Sequence, residues 1–337
     1  MTATISILLP AYNAQRYIRQ ATASIRNQTF GDFEAIIVDD ASTDETGEIA
    51  QSLACDDNRF RVVKLGNHAG IVNALNTALA MARAPYVCRM DADDIMHPRR
   101  LEIQYRYMQE HPQTDVLGSK VSLFSHNGIT DGYRRYMRWL NETCDHATIC
   151  RDIYVESPLA HPSVMMPAKR LAELGGYMDN GWPEDYDLWL RCFHAGYRFA
   201  KVAQTLLYWR DAPHRLSRTD NRYSIEQFHA CKGYYLARHS LADRKTIIAW
   251  GAKRYSRILL QHLVNQGVSI AAYVDVDSKK IGNTINRIPV ISPDDLRHFP
   301  RSYPIVSYVS RDGVREKIRS WLIGNGYAEG SDFFMAA

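Results

Sequence analysis

Three aspartates stand close together at the end of an apolar run, in the segment Tyr86-Val87-Cys88-Arg89-Met90-Asp91-Ala92-Asp93-Asp94. Clustered carboxylates repel one another unless a positive charge holds them together, and their oxygens suit a hard cation such as Mg²⁺ or Mn²⁺. In an extended segment, Asp91 and Asp93 point to the same side and can face one ligand. The cluster therefore predicts a metal–diphosphate site or, alternatively, an acidic turn that caps the next helix.

A second acidic group falls at the predicted start of a helix, in Pro183-Glu184-Asp185-Tyr186-Asp187-Leu188-Trp189-Leu190-Arg191. We expect this helix to run to about residue 194 and to stop near Gly196. Acidic side chains in a first turn stabilise a helix by about 0.3–1 kcal/mol each. A carboxylate can also act as a general base, and a second carboxylate beside it raises one pKa toward neutrality. Taken alone, these residues favour the helix-stabilising role.

Strands and helices must position these groups, and the two alternate over the first part of the chain. The apolar pattern predicts strands at 5–9, 33–38, 61–65 and 86–90, and helices at 15–27, from a cap at Ser42 or Thr43 to about 54, and at 71–82. This alternation indicates a three-layer α/β domain with parallel strands, whose ligands bind beyond the carboxyl ends of the strands. The polar segments at such ends are Pro10-Ala11-Tyr12-Asn13, Asp39-Asp40 and Asp91-Ala92-Asp93.

A second βαβ pattern begins after the polar segment at about 238–245. We predict strands at 246–250, 270–274, 289–291 and 305–309, and helices at 253–266 and 314–325. The turn after the first strand has Gly251, but Lys253 and Ser256 stand where a dinucleotide fingerprint requires glycine. The pattern favours a Rossmann-like scaffold without a cofactor over an NAD(P)-binding oxidoreductase domain. Such a scaffold could serve in oligomerisation, acceptor binding or partner docking.

Composition excludes several classes of function. The net charge of +4 is too small to indicate nucleic-acid binding, although it permits weak attraction to an anionic membrane surface. The six cysteines are scattered without a Cys-x-x-Cys pair, so neither a zinc site nor a redox motif is predicted. With no predicted membrane span and no secretory signal, we expect a cytosolic protein.

The middle of the chain is less regular. The segment 133–140 is rich in arginine and aromatic residues, among them Arg134, Arg135, Arg138 and Trp139. Such a segment can be a solvated helix face whose arginines extend along apolar surface. It can equally be a surface that binds an acceptor, and the sequence leaves both interpretations open.

Taken together, these segments resemble the family 2 glycosyltransferases, which have the GT-A fold. The resemblance covers about residues 4–215 and depends on an ordered set of motifs. They are Ile7-Leu8-Leu9-Pro10-Ala11-Tyr12-Asn13, Ser24-Ile25-Arg26-Asn27-Gln28-Thr29, residues 33–44, Asn67-His68-Ala69-Gly70 with Asn76, Met90-Asp91-Ala92-Asp93-Asp94, His161-Pro162-Ser163-Val164, Gly175-Gly176-Tyr177 and residues 184–191. The resemblance implies a mainly parallel GT-A domain at 1–240, with a donor half at about 1–115 and an acceptor half at 116–240. The Rossmann-like domain at 241–337 lies outside it.

The resemblance also implies roles for individual residues. The catalytic base would be Asp185, with Glu184 beside it. The metal ligands would be Asp93 and Asp91, with His214 as a further ligand, and Arg210 would lie near the diphosphate. The nucleotide sugar would be bound by Pro10, Ala11, Tyr12, Asn13, Asp39, Asp40, Asn76 and Asp91, and the acceptor by Trp182, Trp189 and His161. Asp94 is then left as a cap of the following helix.

The implied reaction is an inverting, metal-dependent transfer of a sugar from a nucleotide-diphosphate donor. The resemblance favours a UDP-sugar as donor, Mn²⁺ or Mg²⁺ as cofactor, and a glycan or lipid-linked glycan of an envelope polysaccharide as acceptor. Peripheral association with the cytosolic face of a membrane, and oligomerisation through the C-terminal domain, are compatible with it. The alternatives are an NAD(P)-binding oxidoreductase or sugar-modifying module centred on the C-terminal domain, and a non-catalytic glycan- or nucleotide-binding module.

Overall fold

The computed structural model describes residues 3–125, 128–212, 215–311 and 313–337. The chain forms two compact units. The first contains Met1–Cys150, Pro158–Asn180 and Asp187–Thr219, and the second contains Arg151–Ser157, Gly181–Tyr186 and Asp220–Ala337. Two short segments from the middle of the chain thus belong to the C-terminal unit. The predicted domain boundary near residue 240 stays a prediction.

The first unit opens with the predicted alternation of strands and helices. Its first two strands are buried over almost their whole length because apolar runs suit parallel strands covered on both faces. Register pairs Ala11 with Asp39, which places both polar strand ends at the same level of the rim. The elements are β1 (Ile5–Ala11), α1 (Ile18–Arg26), β2 (Phe33–Asp39), α2 (Thr46–Asp56), β3 (Phe60–Lys64), α3 (Ile71–Met81) and β4 (Tyr86–Arg89).

The remaining strands of the first unit extend this sheet. The eight strands lie in the order β3-β2-β1-β4-β7-β6-β8-β5, and β7 runs antiparallel to both of its neighbours. The elements are β5 (Ile95–Met96), α4 (Arg100–Glu110), β6 (Val116–Phe124), α5 (Asp131–Glu142), α6 (His146–Arg151), a 3-10 turn (His161–Ser163), β7 (Met165–Pro167), α7 (Ala168–Glu173), α8 (Glu184–His194), β8 (Phe199–Arg210) and α9 (Leu216–Thr219). The expected α/β domain with a large, mainly parallel sheet is confirmed.

The second unit contains the predicted C-terminal βαβ elements. Its six strands lie in the order β11-β12-β10-β9-β13-β14, and all neighbours are parallel except β11 and β12. The elements are a 3-10 turn (Asn221–Tyr223), α10 (Ile225–Tyr235), a π turn (Leu236–Ser240), β9 (Thr246–Trp250), α11 (Arg254–Val264), β10 (Ser269–Val274), β11 (Thr284–Ile285), β12 (Ile288–Ile291), a 3-10 turn (Pro293–His298), β13 (Ile305–Ser307), α12 (Val314–Gly324) and β14 (Phe333–Met335). The short strands β11 and β14 were not predicted.

The predicted cap of α2 at Ser42 or Thr43 is wrong. The helix begins at Thr46, whose backbone N–H donates to Asp44 Oδ1 at 3.0 Å, and the side chain of the N-cap residue Glu45 makes no capping hydrogen bond. Both predicted cap residues instead join the ends of β1 and β2: the backbone N–H of Asn13 donates to Ser42 Oγ at 3.0 Å, and that of Thr43 donates to Asn13 Oδ1 at 2.9 Å. Ser42 and Thr43 therefore form their hydrogen bonds with Asn13 at the end of β1 and not with the first turn of α2.

None of the helices in the described part of the chain combines the length and apolar composition that crossing a bilayer requires.

Candidate functional site

The acidic cluster forms a compact group of oxygen donors just beyond β4. One carboxylate oxygen from each of Asp91, Asp93 and Asp94 lies within 4.8 Å of the other two. The turn is closed by the backbone N–H of Asp94, which donates to the carbonyl of Asp91 at 3.4 Å. Three hard oxygen donors at this spacing fit a single Mg²⁺ or Mn²⁺ ion.

Two arginines hold this turn in place. Arg89, the last residue of β4, is buried and forms an ion pair with Asp91. Arg210, at the end of β8, donates from Nε to the carbonyl of Asp93 at 2.7 Å, and its backbone N–H donates to Asp94 Oδ1 at 2.8 Å. The arginines therefore compensate part of the negative charge and leave several carboxylate oxygens for a cation.

Burial and mutual repulsion raise the proton affinity of the cluster. Burial, followed by the charge of Asp91, raises the pKa of Asp93 to about 6 despite the opposing effect of Arg215 and Arg210. Burial, followed by the charges of Asp93 and Asp91, raises the pKa of Asp94 well above its ordinary value. A divalent cation would stabilise the ionised form of these carboxylates, because its positive charge offsets the repulsion between them.

Asp94 is not the helix cap that the sequence predicts. It is fully buried, and the residues after it form the short strand β5 instead of a helix. Its Oδ1 accepts from the Arg210 backbone, while Oδ2 has no hydrogen-bond partner among the described residues. Asp94 therefore joins the acidic cluster to β8.

We expect a divalent cation to stabilise the protein most at a pH above about 6. The folded Asp93 holds its proton more tightly than the unfolded chain does, so folding stability falls as pH rises from about 4 to about 6. A bound cation offsets that loss only where protons no longer compete for the carboxylates. Saturating MnCl₂ should raise the melting temperature by about 5 °C near pH 8 and by much less near pH 5. Equal shifts at the two pH values would contradict this assignment.

Asp39, at the carboxyl end of β2, is buried and leaves one carboxylate oxygen without a partner among the described residues. Its Oδ1 accepts from the backbone N–H of Ser42 at 3.0 Å, whereas the buried Oδ2 has no hydrogen-bond partner among the described residues. A Cβ atom on Gly47 would stand only 2.5 Å from that Oδ2. Glycine at this position therefore allows the start of α2 to pack directly against the Asp39 carboxylate. The unpartnered Oδ2 is an acceptor for an N–H donor such as the ring imide of a nucleotide base.

Asp40 organises the loop that precedes α3. Its carboxylate accepts from the backbone N–H groups of Ala69 and Gly70, each at 2.8 Å, and lies 2.9 Å from Nδ1 of His68. The His68 ring in turn stacks on Tyr12 at a centroid distance of 3.9 Å. Asp40 thus supports an exposed aromatic pair at the end of β1, where a planar base could stack.

Asn76 contacts the protein backbone instead of an open site. Its Nδ2 donates to the carbonyl of Tyr177 at 2.8 Å, and its Oδ1 accepts from the Tyr177 N–H at 3.0 Å. Gly176, with φ of +73°, allows this approach, since a Cβ there would lie 2.7 Å from Asn76 Oδ1. The amide joins α3 to the Gly175-Gly176-Tyr177 turn, so the predicted donor contact is not supported by the geometry.

The second acidic group begins α8 as predicted, and its members have different surroundings. Asp187 is fully buried and paired with Arg191 at 2.7 Å, which gives it a structural role. Glu184 is also buried and accepts a hydrogen bond from Tyr223 at 2.6 Å. Asp185 is partly exposed, and its Oδ1 accepts from the backbone N–H of Tyr186. Of the three, Asp185 best combines a fixed position with access to a substrate.

Two of the predicted acceptor residues pack in the interior. Trp189 is fully buried and meets the buried His161 edge to face at a centroid distance of 5.8 Å. Direct contact of these two side chains with an acceptor is therefore not supported. Trp182 is partly exposed and lies 5.4 Å from the ring of Tyr234. The predicted metal ligand His214 lies outside the described residues.

Contacts within the protein hold the turn that follows β9. At Gly251, with φ of +117°, a Cβ would lie 3.0 Å from Val309, and Ser256 Oγ donates to the carbonyl of Tyr308 at 2.9 Å. The acidic residue after β10, Asp275, accepts from Lys280 at 2.9 Å. Lys253 and Ser256 stand where the dinucleotide fingerprint has glycine, and a scaffold without a cofactor stays the prediction for this domain.

Sequence reasoning missed the contributions of Gly47, His68 and Arg89. Arg89 had a detectable signal, since a charged residue inside a buried apolar strand requires a partner and Asp91 lies two residues later. His68 stands in the motif Asn67-His68-Ala69-Gly70, but the sequence assigned no role to it, because its role depends on Tyr12 and Asp40. Gly47 had no signal, because its role depends on how α2 packs against Asp39.

The sequence is similar to known glycosyltransferases. A sequence model of the family "Glycosyl transferase family 2" matches residues 6–166. The O-antigen biosynthesis glycosyltransferase WbnJ of Escherichia coli is 29% identical over 237 residues, which are 69% of this chain and 87% of WbnJ.

Two solved structures have the same fold. TarS 1–349 of S. aureus, in complex with UDP-GlcNAc, matches with a TM-score of 0.58 and 20% identity over 79% of this chain and 72% of that one. The mannosyltransferase PcManGT of Pyrobaculum calidifontis, in complex with GDP-Man and Mn²⁺, matches with a TM-score of 0.51 and 17% identity over 80% and 70% of the two chains. The structural likeness concerns the fold.

Proposed function

Since residues 6–166 form a domain of glycosyl transferase family 2, we propose that the protein moves a sugar from a nucleotide-diphosphate donor, most simply a UDP-sugar, to a hydroxyl group of a glycan or lipid-linked glycan. One observation carries the proposal: Asp39 and the cluster of Asp91, Asp93 and Asp94 lie at the carboxyl ends of β2 and β4, which flank β1 in one sheet. A base at Asp39 and a diphosphate at the cluster would then share one rim.

Each part of the nucleotide has a proposed partner on that rim. The base would donate its imide N–H to Asp39 and stack near Tyr12, at the end of β1. Pro10, Ala11 and Asn13 would shape this end of the site through the backbone, and Asp40 would support it through His68. The ribose would lie near Asp91. The ring imide N–H of uracil could donate to the buried acceptor of Asp39, which is compatible with a UDP-sugar.

The oxygen donors of the acidic cluster fit a divalent cation, and Asp91 and Asp93 would hold it. When bound, Mn²⁺ or Mg²⁺ would act as a Lewis acid toward the diphosphate oxygens. Arg210 would fix the backbone of Asp93, through its hydrogen bond to that carbonyl, and so orient the carboxylate. These oxygen donors suit Mn²⁺ and Mg²⁺ alike.

We propose Asp185 as the general base. Its carboxylate would accept the proton of the acceptor hydroxyl as that oxygen forms a bond to the anomeric carbon. The bond between the anomeric carbon and the diphosphate oxygen would break on the opposite face, and its electron pair would leave with the nucleoside diphosphate. One displacement of this kind inverts the configuration at the anomeric carbon and needs no covalent enzyme intermediate.

On the acceptor side, Trp182 would offer an aromatic surface to a sugar ring. The named function of WbnJ in O-antigen biosynthesis supports a polysaccharide or a lipid-linked precursor as the acceptor. Such a precursor would place the enzyme in the cytoplasm at the inner face of a membrane, in peripheral contact.

A screen of nucleotide sugars tests the proposal. We expect one UDP-sugar to be hydrolysed or transferred in the presence of MnCl₂ or MgCl₂, with a loss of more than about tenfold when EDTA is added. Asp39→Ala should raise the KM for that donor, because the base loses a buried acceptor. Turnover of every UDP- and GDP-sugar at the level of a buffer blank would contradict the proposal, and an NAD(P)-induced rise in melting temperature would favour the oxidoreductase alternative.

A further inference from the structure

The segment that carries the proposed base belongs to the C-terminal unit. Gly181–Tyr186 groups with Asp220–Ala337 rather than with the strands that hold the acidic cluster. Side chains of the same segment also contact the residues that lead into and form α10. The C-terminal part of the chain therefore has a defined physical relation to Glu184 and Asp185.

A hydrogen bond connects the two segments at the acidic pair itself. Tyr223, in the 3-10 turn before α10, donates from its hydroxyl to Glu184 Oε2 at 2.6 Å. Glu184 is only 2% exposed, so the geometry of this bond is protected from water. Burial, followed by the charge of Glu184, raises the pKa of Tyr223 well above its ordinary value, so the phenol remains a donor at neutral pH.

Aromatic contacts on both sides of the acidic pair hold the same two segments together. Tyr186 stacks on Phe228 at a centroid distance of 4.2 Å with an angle of 12° between the rings, and its hydroxyl donates to the carbonyl of Ile153 at 2.8 Å. Trp182 meets the ring of Tyr234 at 5.4 Å. The backbone on either side of Glu184 and Asp185 is thus anchored by large side chains.

The 3-10 turn that presents Tyr223 is itself well defined. Asp220 accepts from the backbone N–H of Arg222 at 2.8 Å and from its Nε at 3.2 Å. Ser224 then begins α10, with its hydroxyl accepting from the backbone N–H of Gln227 at 3.3 Å. Tyr223 lies between two capped turns, so its hydroxyl is presented by rigid backbone.

We propose that Tyr223 is a positioning residue for the transfer reaction, and that the segment 220–235 serves as the platform of the Glu184–Asp185 pair. Tyr223 holds the Glu184 carboxylate, and the fixed Glu184 orients the first turn of α8, from which Asp185 accepts the acceptor proton. This inference rests on the proposed function and assigns to the C-terminal unit a part in catalysis. A general base loses efficiency when its position is uncertain by even a fraction of an ångström.

The test compares Tyr223→Phe, Glu184→Gln and the double variant with the unchanged protein. Tyr223→Phe should lower kcat about tenfold and leave the donor KM unchanged, because Tyr223 is not among the residues proposed to bind the donor. In the Glu184→Gln background the same change should cost little more, since Tyr223 acts through Glu184. Tyr223→His, whose ring N–H can replace the phenol as a donor, should recover part of kcat.

Tyr255→Phe, an exposed tyrosine on α11, is the matched control and should behave as the unchanged protein. Wild-type kcat in Tyr223→Phe would overturn the inference, and so would full additivity with Glu184→Gln. Failure here can be separated from failure of the proposed function by Asp185→Asn. An inactive Asp185→Asn with a fully active Tyr223→Phe rejects only the positioning role, whereas an active Asp185→Asn rejects the base itself.

Discussion

Replacement of Asp185 by asparagine should lower the rate of sugar transfer by about 10²–10⁴-fold, the usual contribution of a general base. Asparagine keeps the size of the side chain and can still accept from the backbone N–H of Tyr186, as Asp185 Oδ1 does. It cannot take up the acceptor proton. The fall should therefore appear in kcat for transfer, with the donor affinity, measured by titration with the nucleoside diphosphate, within about twofold of the unchanged protein.

Asp243→Asn supplies the control for this experiment. Asp243 is an exposed aspartate of the second unit, outside the proposed site, and the change removes the same charge. We expect it to retain full transfer and an unchanged melting temperature. If Asp185→Asn kept most of its activity while the acceptor was saturating, another group would have to remove the proton, and the assignment of the base would be wrong.

Replacement of Asp93 by alanine should abolish the dependence on a divalent cation together with most of the activity. A cation at a diphosphate contributes several kcal/mol through charge stabilisation, which corresponds to a loss of about 10²–10⁴-fold. In the absence of metal near pH 8, Asp93→Ala should also melt at a higher temperature than the metal-free unchanged protein. The reason is that removal of the Asp93 carboxylate takes away a buried charge and its repulsion with Asp91, which together raise the pKa of Asp93.

These two effects on Asp93→Ala have opposite signs, and that makes the prediction specific. A damaged fold would lower both activity and melting temperature, whereas loss of a metal ligand lowers activity alone. Asp56→Asn, at an exposed position of α2, is the control and should retain activity and the MnCl₂-induced rise in melting temperature. Retention of that rise by Asp93→Ala would show that the cation binds elsewhere.

The elements that form the site could be predicted because their sequence signals are local. The runs Ile5–Ala11 and Phe33–Asp39 are apolar almost throughout, as buried parallel strands require, and each ends in a polar group. The C-terminal strands and helices were predicted from the same periodicity. Errors fell where polar side chains had more than one option: Ser42 and Thr43 serve the loop between β1 and β2 instead of capping α2.

The roles of individual polar residues were harder to predict, since they depend on partners distant in the chain. Asn76 has a side-chain amide of the kind that binds ligands, yet this amide forms two hydrogen bonds with the backbone of Tyr177. Asp94 was predicted to cap the following helix, yet its carboxylate accepts a hydrogen bond from the backbone N–H of Arg210. Local patterns do not encode which of several hydrogen-bonding opportunities a folded chain uses.

The sequence alone therefore determined the α/β architecture, the order of the motifs along the chain, and the presence of a dense carboxylate group at Asp91, Asp93 and Asp94. Hydrophobic periodicity and charge spacing are properties of residues that are close in the chain, so they can be read directly from the sequence. The tertiary structure decided that Arg210 supports the cluster, that Gly47 packs against the Asp39 carboxylate, and that Tyr223 of the C-terminal unit holds Glu184. Each of these depends on contacts between segments far apart in the chain, which only folding brings together.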